Sequence, residues 1–139
     1  MKTSQYLKLA NRASNELRFS RETVNEDMSH QPGYYFFYAK LYVELIRLVK
    51  ITKMKLEAEE ATIHHSLNQV HNKVTERMHD SQCRREKKWL TVRKELTELE
   101  AQADGMNQIC RSFEHRRDML VNLSATVRAE MSSDIHIRK

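Results

Sequence analysis

Apolar residues along this chain recur at steps of three and four, the period of a helix that buries one face. One stripe reads Tyr35, Tyr38, Tyr42, Leu45, Val49, Thr52, Leu56, Glu59, Ile63, Leu67, Val70 and Val74, with only Thr52 and Glu59 polar. A second starts at Trp89 and continues through Val92, Leu96, Leu99, Ala103, Met106, Cys110, Phe113, Arg117, Leu120, Ser124, Val127 and Met131; only Arg117 and Ser124 interrupt it. Both are heptad seams. The N-terminal stretch is weaker: Tyr6, Leu9 or Ala10, Ala13 and Leu17 predict a short amphipathic helix, followed by the polar run SRETVNEDMSHQPG. Pro32 suits the first turn of a helix, where its missing N–H costs nothing, so the second helix is expected to open at about Pro32 to Tyr35. The last helix, from about Ser81 to Met131, would be roughly 75 Å long.

Between the seams lies NQVHNKVTERMHDSQC, where Thr75 or Asp80 with Ser81 could cap the last helix. The reversal is therefore placed between Asn68 and Ser81. Charge supports an antiparallel arrangement. With a reversal near residue 75, Glu57, Glu59 and Glu60 come opposite Lys87, Lys88, Arg93 and Lys94, and Arg47, Lys50, Lys53 and Lys55 opposite Glu95, Glu98, Glu100 and Asp104. Such pairs select register more than they stabilise. The expected fold is all-α: a long antiparallel, coiled-coil-like helical hairpin with a short N-terminal helix, completing its core by oligomerising. Residues 1–33 are read as the short helix and a linker, and 34–139 as the hairpin that carries oligomerisation and binding.

Composition agrees. The 139 residues include two Gly and one Pro, where average usage predicts about 17 of the two together. Sandwiches, barrels and doubly wound sheets need that turn chemistry, and long helices do not. Gly105, inside the second seam, marks either a soft point or a close approach of another helix. There is no glycine-rich phosphate loop, GxSxG, HExxH or CxxC, so the chain is expected to be no enzyme and to need no cofactor. His79 and Cys83 share a helix face, but two ligands do not make a zinc site, and no metal is expected. Cys83 and Cys110, in a chain whose N-terminus lacks an apolar signal region, are expected to be reduced thiols in the cytoplasm. The most apolar stretch, Tyr34 to Val49, carries Lys40, Glu44 and Arg47, too charged to span a bilayer.

Two groups of residues remain as candidate surfaces. Tyr34 to Phe37 with Tyr38 are five consecutive aromatics, which one neighbouring helix cannot cover. Tyr35, Phe36, Phe37 and Tyr38, with Phe113, Leu120 and Val127 of the second seam, are therefore the expected oligomer interface. The other group is basic: the net charge is +5, and Lys73, Arg77, Arg84, Arg85, Lys87 and Lys88 gather around the reversal. Lys73, Arg77, Arg84 and Arg85, nearer the tip and beyond the facing acids, are the best phosphate ligands on offer, repeated once per subunit in an oligomer.

In YYFFYAKLYVEL at the head of the second helix, KVTERM after it and ICRSFEHRRDMLVNLSATVRAEM near the C-terminus, the chain resembles the UvsY-type recombination mediators of tailed bacteriophages, over about Tyr34 to Met131. That resemblance implies a ring-like homo-oligomer in the host cytoplasm that binds single-stranded DNA and helps load a RecA-type recombinase onto DNA coated by single-strand-binding protein. Where such mediators place basic contacts late in the first long helix, this chain has Glu57, Glu59 and Glu60. DNA contact is then expected at Lys53 and Lys55 before the acids, or at Lys73, Arg77, Arg84 and Arg85 after them, with Lys87 and Lys88 as further candidate contacts. The alternative reading is a coiled-coil structural or assembly adaptor with no nucleic-acid role.

Overall fold

The computed structural model describes residues 1–137, and these form four helices with no strand: α1 (Thr3–Glu16), α2 (Val24–Val70), α3 (Glu76–Cys83) and α4 (Lys87–Ile137). The long helices α2 and α4 pack against each other as an antiparallel hairpin. The chain divides into two compact units, Met1–Tyr42 with the residues from Asp104 onward, and Val43–Ala103.

In the first unit the aromatic head of α2 meets α4. Tyr38, fully buried, stacks on Phe113 with ring centroids 5.1 Å apart and planes inclined by 16°. Leu120 and Met106 extend this core along α4, and Ala13 adds α1. Helix α1 is held by polar contacts too. The Tyr38 hydroxyl donates to Glu16 at 2.8 Å, and the Arg12 guanidinium lies 4.6 Å from the Phe37 ring centre. Burial and the bond to Glu16 push the Tyr38 phenol well above its usual pKa, so it remains a donor. Gly105 marks a close approach: a Cβ built there would collide with the Tyr6 hydroxyl of α1. Replacing Gly105 by Ala should therefore displace Tyr6 and cancel the roughly 1 kcal/mol that alanine gains in a helix. With Tyr6 also changed to Ala that gain should reappear, and a double-mutant cycle in urea would measure the coupling.

Helix α2 begins at Val24, eight residues before the expected Pro32. Thr23 opens it: its carbonyl accepts from the Asp27 N–H at 2.9 Å, and its hydroxyl donates to the Asp27 carboxylate at 2.6 Å. Glu26 and Asp27 then place negative charge in the first turn, where the helix dipole favours it. Pro32 sits inside the helix as an exposed residue, and its missing N–H leaves the carbonyl of Met28 without its helical partner. The buried stripe extends backwards accordingly, through Gln31 to Val24.

In the second unit, Leu45, Val49, Thr52, Leu56 and Ile63 of α2 face Leu96, Leu99 and Ala103 of α4, all buried. The seam positions of the sequence are largely the observed core. Lys53 and Glu100 form an ion pair at 3.3 Å across the hairpin, in the register expected from charge. The acidic block behaves differently. Glu60 accepts the Trp89 indole N–H at 3.0 Å, and its backbone carbonyl lies 3.2 Å from His79 Nε2. Among the described residues, Glu57, Glu59 and Glu60 make no ion pair with Lys87, Lys88, Arg93 or Lys94, whose long side chains stay in solvent.

Candidate nucleic-acid interface

The reversal is a short helix between two breaks. Helix α2 stops at Val70, and Thr75 caps α3, its hydroxyl accepting the Met78 N–H at 3.3 Å. Thr75 thus opens α3, while the long α4 starts at Lys87 instead of Ser81. Bonds from Arg84 N to Asp80 O, Arg85 N to Gln82 O and Glu86 N to Cys83 O tighten the connection into α4. Cys83, the buried last residue of α3, has its Sγ 3.7 Å from His79 Nε2 one turn earlier, and His79 ties α3 to α2 at the Glu60 carbonyl, 3.2 Å from Nε2.

This turn presents the basic residues. Lys73 precedes α3, Arg77 lies in its first turn, Arg84 and Arg85 follow it, and Lys87 and Lys88 open α4. All six are exposed, and none makes an ion pair within the described residues. Arg77, Ser81, Arg84 and Arg85 border one shallow depression together with Glu76 and Asp80. Arg77 and Arg85 also border a neighbouring depression with His71 and Thr75, while Lys87 and Lys88 border a third with Ser66 and His71. The residues therefore spread over several faces of the turn, an arrangement suited to a flexible polyanion. Lys53 and Lys55 are exposed on α2, Lys53 being held by Glu100.

The residues expected to form the oligomer interface divide. Tyr38, Phe113 and Leu120 are fully buried in the chain's own core. Phe37 is half-buried beneath Arg12, and Val127 is half-buried on α4. Tyr35 is partly exposed, its hydroxyl donating to Glu114 at 3.1 Å, and Phe36 stands 70% exposed. That bond, which the phenolate cannot make, raises the Tyr35 pKa.

One polar residue of consequence went unread in the sequence. Arg116 is 3% exposed and makes five hydrogen bonds: Nε to Leu17 O, Nη1 to Asp27 O and Gln31 Oε1, and Nη2 to Arg18 O and Asp27 Oδ1. Gln31, also buried, donates onward to Phe113 O at 2.6 Å. This network ties the α1–α2 connection to α4. Its signal was the alternative step from Phe113 to Arg116 to Leu120, which fits helical spacing as well as the route through Arg117.

Among the described residues no group of three or more His, Cys, Asp and Glu is arranged to hold a metal ion, and no helix is long and apolar enough to cross a membrane. Burial pushes both thiols above their usual pKa, so Cys83 and Cys110 are poorly nucleophilic. Compared with known proteins, the chain matches no family model, no curated protein and no solved structure.

Proposed function

We propose that this chain is a binding protein for single-stranded nucleic acid, a homo-oligomer that contacts phosphates through its basic turn and serves as a recombination mediator that assists a RecA-type recombinase. The observation that carries the reading is the set Lys73, Arg77, Arg84, Arg85, Lys87 and Lys88, exposed on one turn with no ion-pair partner among the described residues. The mediator role adds the resemblance carried by YYFFYAKLYVEL, KVTERM and the ICRSFEHRRDMLVNLSATVRAEM segment.

The turn offers charge without stacking. Trp89 is the aromatic residue nearest to it in sequence, and its indole N–H is held by Glu60. Binding should therefore be indifferent to base sequence, because phosphate contacts carry none. Titration of a labelled oligonucleotide over a range of salt tests this: log K should fall linearly with log salt, by about 0.7 per phosphate neutralised on a single strand. Binding that is flat in salt, or absent at low salt, rejects the reading. A coiled-coil adaptor is the second reading, and it draws on Phe36, a large apolar side chain 70% exposed on α2 that a protein partner would cover.

A further inference from the structure

The second unit carries an apolar seam that its own fold leaves open. On α2, the side turned away from Leu45, Val49, Leu56 and Ile63 runs from Val43 through Arg47, Ile51, Met54 and Ala58 to Ala61, again at steps of four and three. Val43 is 63% exposed and Met54 68%, and Ile51, Ala58 and Ala61 are exposed as well. A helix with apolar stripes on two opposite sides has two helices to meet. Helix α4 supplies one.

We infer that the second is α2 of another copy of this chain, packed antiparallel about a two-fold axis at Met54. Size and charge both select that register. With Met54 facing its symmetry mate, Ile51 comes opposite Ala58 and Arg47 opposite Ala61, so on either side of the central Met54 pair a large side chain meets a small one. Lys50 flanks the seam on the same side as Glu57, and the two-fold brings Lys50 of each copy beside Glu57 of the other. Ala58 and Ala61 permit a close approach of the two backbones. A parallel pairing would also set Met54 on Met54, but it would put Ile51 on Ile51 and Ala58 on Ala58 and leave the Ala layers loosely filled. The contact is isologous, so it closes as a dimer. It is independent of the nucleic-acid reading, because the basic turn takes no part in it.

Two measurements on the full chain test the inference. Sedimentation equilibrium should give a dimer whose dissociation constant rises by about tenfold or more in Lys50→Glu, which faces Glu57 with a like charge twice, and returns toward the parent in Lys50→Glu/Glu57→Lys. These residues are exposed, so circular dichroism should be unchanged. Under mild oxidation Met54→Cys should form an intermolecular disulfide, while Ala61→Cys should not, because the two copies of residue 61 would lie about 21 Å apart along the helices. The parent chain, with Cys83 and Cys110 buried, is the control. A monomer at high micromolar concentration, no recovery in the charge-swapped double variant, or equal crosslinking at 54 and 61 each overturns it.

Discussion

Changing Arg116 to Ala should lower the free energy of unfolding by about 3–5 kcal/mol, a loss as large as that from truncating a core aromatic. The guanidinium lies almost wholly out of water, and its cost of burial is offset by five hydrogen bonds, one of them to the Asp27 carboxylate at 3.0 Å. Removing it leaves the carbonyls of Leu17, Arg18 and Asp27, the Gln31 side chain and the Asp27 carboxylate with one partner fewer, in a space water enters with difficulty. The Phe19 and Tyr34 rings, 5.9 and 5.7 Å from the guanidinium, lose a packing surface as well. Arg116→Met keeps much of the volume and restores none of the donors, so it should fall close to Ala. Asp27→Asn should cost less, since an amide oxygen can still accept from Arg116. Urea denaturation measures all three. If Arg116→Ala unfolds within about 1 kcal/mol of the parent, the network does not hold the α1–α2 connection in place.

The hairpin was legible because a heptad seam records only which positions face inward, and antiparallel helices satisfy that record locally. Tyr38, Leu45, Leu96, Met106 and Phe113 are where the pattern placed them. The start of α2 was misread for an identifiable reason. Pro32 and Gly33 are strong punctuation, yet a single proline on a solvent face costs a helix about 3 kcal/mol, and the burial of Val24 and Gln31 with the Asp27–Arg116 pair outweighs it. The sequence did hold a countersignal in Thr23 followed three residues later by Glu26, the spacing of a capping box. Arg116 was missed because a buried cation reads as a polar position until its partners are known, and those partners come from residues 17 to 31, nearly a hundred positions away. The basic turn was visible as composition. Its exposure and its lack of ion pairs depend on how Glu60 is used, which no spacing rule reports.

The remaining large effect belongs to that turn. Replacing Arg84, Arg85, Lys87 and Lys88 together by Ala should flatten the salt dependence of oligonucleotide binding by up to about 2.8 in slope, four contacts at about 0.7 each. Helix content should hold, since these side chains are exposed and make no ion pair among the described residues, and Ala at 87 and 88 suits the first turn of α4. Stability should therefore stay within about 0.5 kcal/mol of the parent. The slope discriminates better than affinity alone. A misfolded variant loses binding and helicity together, whereas a variant stripped of phosphate contacts keeps its helicity and binds with a shallower slope. If the quadruple variant keeps the parent slope, the contacts lie on Lys73 and Arg77, which it retains, or on α2, where Lys55 is exposed and Lys53 would have to exchange Glu100 for a phosphate. If the parent itself does not bind at low salt, the mediator reading fails and the adaptor reading replaces it, with the exposed Phe36 as the place to pursue a partner.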